Sequence, residues 1–595
     1  MNQNPPAPRD VNPVQRARLW YALLLVIFGV FAVRVFYLQV IRYDYYTDAA
    51  RNSQLKQYEI PAERGIITAH YGGGTVPIVM NQRLFTLYAD PTIIKKPEAT
   101  AAKLQPVIGG NVDDITKKLK TGGGARYVIL ARKLTPAQSA KILGFKLGGV
   151  GTQEQDYRTY PQGSLAAQLL GFVNNDGKGE YGVEQAMNND LKGKPGQLKA
   201  VTDVNGVPLA AKANNISIAP RAGDQVGLTI DVGMQAGVER ILKAAQESNK
   251  AKDISAVVMD VSTGTIKAMA NYPSYDPANY QNVDDATVFS NQTVTEPIEP
   301  GSITKVLTTA ASLQEGVITP STTFYDPGSW PIDGAAVSDV EEDHSTGQQS
   351  IFSTLDKSLN TGATWMLMQL GGGQLNFKGR TTLHNYFADH FMLGQPTGIE
   401  QGYEASGYVP RPQNTGAGIN LTYANMSFGQ AYTATALQMV TALSSIVNGG
   451  TYYQPRLVDS LTSADGTTTV MQPRVLKSDV VSAQTSNQMV SLLEQNNAAH
   501  IKEGFPYLNF GASYGVGGKT GTAEIANPIG GYYPDKVNGT YMGFVGGNKP
   551  QYAIVVFNMQ PTKYAGFAGS GTGQPVFANI AHMLINNFGV TPRTP

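Results

Sequence analysis

The sequence has no cysteine among its 595 residues. That excludes disulfides, thiol nucleophiles and cysteine-bound metals, and it is coherent with a chain exported to an oxidising compartment. Histidine is scarce: there are six, and none falls in an H-E-x-x-H or similar ligand spacing, so no metal and no other cofactor is expected. An excess of one charge is missing too. Lys plus Arg number 46 against 45 Asp plus Glu, a formal charge of +1, which gives no electrostatic case for a nucleic-acid partner. No long internal repeat is present. The length alone fits three or four domains of ordinary size.

Long apolar runs are also missing, with one exception. Leu19 to Ile41 is almost purely apolar and carries one charge, Arg34. About 20 such residues span the hydrocarbon core of a bilayer. Arg34 would cost roughly 2.5–3.5 kcal/mol at the very centre and less here, past the midpoint, where it can snorkel outward. Arg9, Arg16 and Arg18 precede the run, whereas Arg42 is mixed with Asp44 and Asp48 beyond it. By the positive-inside rule the short tail is cytoplasmic and the rest lies outside. A cleaved signal peptide is the alternative. Its apolar region is usually shorter and ends at a small-residue site, which Ala49-Ala50 matches poorly. The expectation is a retained, single-pass anchor in the plasma membrane, with residues 1–18 as a cytoplasmic tail and 19–41 as the transmembrane helix.

Beyond the anchor, residues 42–220 form one region, broken by Gly72-Gly73-Gly74 and Gly122-Gly123-Gly124 and carrying short β-type runs such as Tyr127 to Leu130. From Val226 the character changes. A strand leads into a helix with apolar spacing at Met234, Val238, Ile241 and Leu242. Ile254 to Pro273 reads as a hairpin turned at Ser-Thr-Gly. Helical segments follow, strands return around Lys519, and an amphipathic helix, Pro575 to Phe588, closes the chain. That order predicts an α+β domain over 221–595, with helices packed on an antiparallel sheet.

The stretch GVGGKTGTAE, Gly515 to Glu524, superficially suggests a phosphate-binding loop. The pattern needs a leading glycine where Ser513 stands, and a helix after it. Instead Pro528, Gly530-Gly531, Pro534 and Asn538-Gly539 break any helix, and Thr540 to Val545 and Tyr552 to Asn558 read as strands. Lys519 is therefore placed on a sheet strand. There Lys519 and Gly521 share one face, Thr520 and Thr522 the other, and Gly521 permits close approach of a ligand backbone. A bare K-T-G carries little weight, since Lys120-Thr121-Gly122 repeats it.

Two further elements stand upstream. Pro300-Gly301-Ser302-Ile303-Thr304-Lys305 opens a helix whose buried stripe is Ile303, Val306, Leu307, Ala310 and Leu313. Ser302 and Lys305, three apart, face each other on its first turn, as a serine nucleophile and a lysine base require. The helix start adds free backbone N–H groups for a developing oxyanion. S-x-x-K arises about once or twice by chance in a chain of this length, and the ordinary alternative is a cap followed by a solvated lysine. Ser358-Leu359-Asn360 lies between two helical runs, Ile351 to Lys357 and Thr361 to Leu370, where an interhelical loop capped by serine and asparagine is the plain alternative.

Together, S-x-x-K, S-x-N and K-T-G in that order form the motif set of penicillin-binding proteins and serine β-lactamases. EPGSITK, KTGTAE, the run Ser427 to Met439 with NGG at Asn448, and Thr397 to Pro410 resemble class B penicillin-binding proteins, the monofunctional peptidoglycan D,D-transpeptidases. The resemblance continues through PAERGII (Pro61 to Ile67), Arg158 to Asn174 and Tyr181 to Gly196, typical of that class's pedestal (dimerisation-type) domain. It covers nearly the whole chain. One departure is that the family's usual Asp-Arg-x-Gly turn after RGxI is replaced here by Thr68 to Gly74.

The resemblance implies an elongated β-rich pedestal over 42–220 and a penicillin-binding transpeptidase domain over 221–595. It implies that Ser302 attacks the carbonyl between the two D-alanines of a donor stem peptide, and that neutral Lys305, its proton affinity lowered by burial and by Lys519, takes the hydroxyl proton. Ser358 would relay that proton, Asn360 would hold Lys305 and the substrate amide, and Thr520 and Thr522, with Gly521 beside them, would bind the terminal carboxylate. The backbone N–H groups of Ser302 and Thr522 would form the oxyanion hole, worth about 3–4 kcal/mol per donor. β-Lactams would block Ser302 covalently. A SEDS-family glycan polymerase and other division or elongation membrane proteins are the implied partners, with a septal role favoured over elongation.

Three rivals use the same motifs. A class A β-lactamase places a deacylating Glu ahead of a Leu-Asn pair; here Leu375-Asn376 has Gly372 at that position, and Leu359 replaces the Asp of S-D-N. A D,D-carboxypeptidase is less consistent with the pedestal and anchor, and an inactive β-lactam-binding scaffold with the intact motif residues. His344 is expected to be a solvated loop residue, Trp365 and Met366 core, and Tyr532 and Tyr533 to lie over the cleft.

Overall fold

The structure is a computed structural model describing residues 13–47, 55–120, 126–201, 216–340, 346–413 and 415–594. Arg9, Asp48, Ala49-Ala50, Thr121 to Gly124 and His344 lie outside these residues. The chain forms two compact units, Met1–Ala62 with Lys194–Arg221, and Glu63–Gly193 with Ala222–Pro595.

In the first unit, α1 (Pro13–Phe36) runs on through a π-helical turn, Tyr37–Ile41. Among the described residues, Ala17–Ile41 is the one helix long and apolar enough to cross a membrane. Trp20, Leu24, Phe28 and Val33 are all exposed, so the helix is apolar all round, a surface suited to lipid. The unit also holds an antiparallel sheet of Leu55–Ile60, Gly196–Val201 and Ile216–Ile218.

In the second unit, β1 (Ile67–Tyr71) and β2 (Gly74–Ala89) form a hairpin in which Tyr71 faces Gly74. Gly72 and Gly73 make its two-residue turn at φ 57° and 82°, a conformation glycine adopts without Cβ strain. The segment that departs from the family's usual turn is thus a tight hairpin. β3 (Val128–Leu134) and β4 (Val150–Thr159) pair with β2, and β5 (Gln225–Asp231) adds to β1 in parallel. Under the β2–β4 end, Leu87, Leu104, Ile115, Leu130 and Ile142 share a small core.

Asp231 ends β5 and caps α2 (Val232–Asn249), its carboxylate accepting the Met234 N–H at 2.9 Å. The expected hairpin follows as β6 (Asp253–Asp260) and β7 (Ile266–Tyr272). Next come α3 (Lys305–Gln314), β8 (Thr323–Asp326), the hairpin of β9 (Ser329–Ile332) and β10 (Ala335–Ser338), α4 (Ile351–Asp356), α5 (Asn360–Leu370), α6 (Ala436–Val447) and α7 (Ala483–Lys502). The chain closes with β11 (Gly515–Ala526), β12 (Tyr532–Gly546), β13 (Pro550–Met559) and α8 (Gln574–Asn587).

The central sheet, in the order β7-β6-β13-β12-β11, is antiparallel throughout. Strand alternation divides its core in two. Ile254, Ala256 and Val258 of β6 pack with Val238 of α2 and Ile580 of α8; Val257 and Met259 face the helical layer containing Val440 and Leu443 of α6. Each such aliphatic side chain contributes about 1.5–3 kcal/mol when fully buried. Every residue of α6 is buried, which marks it as the central helix, and its Thr435–Gln438 capping box satisfies the first N–H groups.

Candidate active site

The first motif is held by backbone geometry. Gly301 sits at φ 68° and donates its N–H to Gly429 O at 3.0 Å. The chain then makes a 3-10 turn, Gly301–Thr304, before α3 begins at Lys305. Ser302 therefore lies on a 3-10 turn rather than in the first turn of an α-helix. With three residues per turn, positions three apart eclipse, which keeps the expected pairing. Lys305 Nζ donates to Ser302 Oγ at 2.7 Å.

Lys305 is completely buried. Besides Ser302, its amine lies 2.6 Å from Ser358 O, 3.2 Å from Ser358 Oγ and 2.8 Å from Asn360 Oδ1. Ser358 adopts φ 59°, the left-handed region that non-glycine residues enter at a cost. In that conformation both of its oxygens reach the same amine. Strain of this kind persists where the surroundings over-determine it, and functional sites are where it collects. Four of the five residues expected to be catalytic thus converge on one nitrogen.

Two residues that sequence reasoning missed brace Asn360 from behind. Asp339 Oδ1 accepts the backbone N–H of Asn360 at 2.5 Å and of Thr361 at 3.1 Å. The Thr361 hydroxyl lies 2.9 Å from Asp339 Oδ2 and 2.5 Å from Asp326 Oδ2, and Asp326 is fully buried. Asn360 Nδ2 donates to Ser338 O at 3.1 Å. Asp339 stands 21 residues before Asn360, so no local pattern could have joined them. Burial raises the Asp339 carboxyl, and Asp326 adds to this, against the hydrogen bonds from Thr361 and the charge of Lys305.

The third motif lies on β11, with Lys519 fully buried and Thr520 and Thr522 half-buried. Lys519 Nζ donates to Thr520 O and Oγ1, each at 3.2 Å. A side chain on Gly521 would lie 3.0 Å from Pro300 O and 3.1 Å from Ile303 Cγ2, so glycine here lets β11 close onto the turn carrying Ser302. Thr540 of β12 bridges the same place, donating to Pro300 O at 2.8 Å. Asn496 of α7 holds the strand through Gly518 O at 2.8 Å.

Around this centre, Tyr532 OH donates to Glu299 Oε1 at 3.3 Å, and Gln430 Nε2 to Glu524 Oε2 at 2.8 Å. Burial raises the Glu299 carboxyl. The Lys536 amine lies 4.3 Å from the centre of the Tyr533 ring. Met366 is fully buried in the core, and Trp365, half-buried, packs against it and stacks on Phe324 at 4.8 Å. Asn376, of the pair compared with a β-lactamase motif, caps a helix by accepting the Gly379 N–H at 3.0 Å. Lys120, which opens the other K-T-G, pairs with Glu98 at 2.5 Å. Asp356, His500 and Glu503 bring possible ligand atoms within 4.8 Å of one another, and Gln574 Nε2 lies 2.9 Å from His500 Nδ1.

A buried lysine joined to two serines and an asparagine thus lies beside β11, the edge strand of an antiparallel sheet packed between helices. Comparison with known families agrees with the resemblance read from the motifs. Residues 254–582 match the penicillin binding protein transpeptidase domain and residues 59–228 the penicillin-binding protein dimerisation domain. The chain belongs to the class B penicillin-binding proteins. It is 30% identical over 593 residues to stage V sporulation protein D of Bacillus subtilis, covering 98% of this chain and 88% of the relative. It is 27% identical over 564 residues to peptidoglycan D,D-transpeptidase FtsI of Escherichia coli, covering 94% and 89%. Penicillin binding protein 3 of Mycobacterium tuberculosis, in a crystal structure with ampicillin, superposes with a TM-score of 0.65 at 25% identity, over 90% of this chain and 98% of that one.

Proposed function

We propose that the protein is a peptidoglycan D,D-transpeptidase that cross-links stem peptides through a Ser302 acyl-enzyme. The observation that carries this reading is the single amine of Lys305 within 3.2 Å of Ser302 Oγ, Ser358 Oγ and Asn360 Oδ1. In the first half-reaction, Ser302 Oγ attacks the carbonyl carbon of the penultimate D-alanine while neutral Lys305 takes its proton. The proton passes through Ser358 to the nitrogen of the terminal D-alanine, the C–N bond breaks, and an ester to Ser302 remains. In the second, an amine of a neighbouring stem peptide attacks that ester, a new amide forms, and Ser302 regains its proton. Lys519 supplies positive charge beside the site. Thr520 and Thr522 bind the donor's terminal carboxylate, with Gly521 between them keeping the strand close to Ser302.

β-Lactams enter as donor mimics, a reading supported by the drug complex of the mycobacterial homologue. The boundaries proposed are a cytoplasmic tail 1–18, a transmembrane helix 19–41, a pedestal 42–220 and a transpeptidase domain 221–595. The bulk of the chain lies outside the plasma membrane, and a SEDS-family polymerase supplies the glycan. A role at the division septum rests on the Glu299-Pro300-Gly301-Ser302 opening and the Asn360-Thr361-Gly362 run after Leu359. The test is intact mass of the full chain after penicillin, beside Ser302→Ala. A stable adduct on the Ser302 peptide, absent from the variant, is expected. Rapid loss of the adduct with drug hydrolysis would point to a β-lactamase instead, and folded protein without any adduct would leave a scaffold.

A further inference from the structure

The 3-10 turn, α5 and β11 account for the motif residues, but not for what holds Asn360 in place. α5 begins at Asn360, and the residue before it, Leu359, has no side chain able to cap the helix. The first N–H groups of a helix need acceptors, and burial makes their neglect costly. Here the acceptor comes from elsewhere in the chain. Asp339 lies just beyond β10, in the segment connecting the first motif to the second, and its Oδ1 takes the N–H of both Asn360 and Thr361. The neighbouring Ser338 O takes the Asn360 side-chain amide at 3.1 Å. With its Nδ2 held there, Asn360 presents Oδ1 to the Lys305 amine at 2.8 Å.

A second layer fixes Asp339 itself. Its Oδ2 and Asp326 Oδ2 both contact the one hydroxyl of Thr361. A hydroxyl has a single hydrogen to donate, so it can serve only one carboxylate; the other contact is satisfied when that carboxyl is protonated and donates in turn. Asp326 is tied by its other oxygen to the Gly328 N–H at 2.8 Å, and Trp330 Nε1 donates to Thr361 O at 3.1 Å. The small strands between the first two motifs therefore fold back as a brace on the second.

We infer that Asp339 is a positioning residue for acylation: through the start of α5 it sets the orientation of Asn360 and hence the place of the Lys305 amine against Ser302, a role that presupposes the Ser302 acyl-enzyme proposed above. It does not touch substrate. Its effect falls on the rate at saturating donor, because Thr520 and Thr522 on β11 are untouched.

The test is stopped-flow acylation of the full chain by a fluorescent penicillin, resolving the saturating rate from the apparent dissociation constant, with the melting temperature of each variant. Asp339→Ala is expected to lower the saturating rate by about 10–100-fold, the scale of a displaced catalytic group, with little change in the dissociation constant. Asp339→Asn keeps an oxygen for both N–H groups and can donate to Thr361, so it is expected to restore most of the rate. Should Asp339→Ala fail to fold, Thr361→Val serves in its place, cutting the links to both carboxyls; a rate drop below that of Asp339→Asn supports the role. Wild-type protein that acylates normally beside an equally fast Asp339→Ala overturns this inference alone. So does a loss in Asp339→Ala that appears wholly as a lower folded fraction. Wild type that forms no adduct overturns the acyl-enzyme reading first, and this inference with it.

Discussion

Two of the places where the second unit buries ionisable side chains contrast, and the contrast separates structure from chemistry. In the pedestal, Glu184 is completely buried between two arginines. Arg64 Nε and Arg158 Nε each donate to it at 2.8 Å, with further contacts from their Nη2 atoms at 2.6 and 2.8 Å. Arg64 also donates to Asn188 Oδ1 at 3.0 Å and Arg158 to Asn81 Oδ1 at 2.7 Å. There, opposite charges meet directly. In the proposed catalytic centre, the four oxygens named around Lys305 Nζ belong to Ser302, Ser358 and Asn360. The first arrangement fastens the pedestal; the second gathers the motif side chains on one amine.

The sharpest way to break this comparison is to remove the amine. Lys305→Met fills much the same volume without charge. If Lys305 is the base, acylation by penicillin falls by about 10²–10⁴-fold, the usual worth of general-base catalysis. The melting temperature of the same variant separates loss of the base from loss of the fold, since methionine leaves the oxygens around the amine without their donor. Unaltered acylation, read as adduct formed against time, would remove Lys305 from the mechanism.

Glu184→Gln asks the opposite. It strands Arg64 and Arg158 against each other, and breaking a buried ion pair costs about 3–5 kcal/mol. The expectation is a large loss in chemical unfolding free energy with unchanged acylation per folded molecule. A variant as stable as wild type would show that the triad is no fastening.

How much of this was legible differs between the same two regions. The residues proposed as catalytic could be singled out because each sits in a short motif whose spacing meets a local geometric need: three residues for Ser302 and Lys305, alternate strand positions for Lys519 and Gly521. The pedestal triad was visible only as family-like stretches containing Arg64, Arg158 and Glu184; nothing in their spacing says that they meet. Asp326 and Asp339 were invisible for the same reason. The beginning of β12 was also missed, since Pro534 and Gly539 read as breakers. Between Tyr532 and Asn538 that strand pairs only with β11, across a register shift after Glu524, and pairing with β13 begins at Gly539. Proline is tolerated on such an open, bulged edge.

His500 stands between the two cases and gives the smallest expected effect. It lies on α7, nearly buried, with Gln574 on its Nδ1. Burial, and then the positive charge of Lys519, push it down to about 4 from an ordinary 6.5. The folded protein therefore resists the proton that the unfolded chain accepts. His500 contributes its full share of stability above the ordinary histidine range, and that share is lost as pH falls from there towards about 4. The contribution is at most about 3 kcal/mol, from the linkage between a pKa difference and folding. Denaturant midpoints followed down this window should fall less steeply for His500→Gln than for wild type, since glutamine has no proton to gain. Parallel acid limbs would mean that His500 carries no such burden, and that Lys519 does not press its charge on the groups around it.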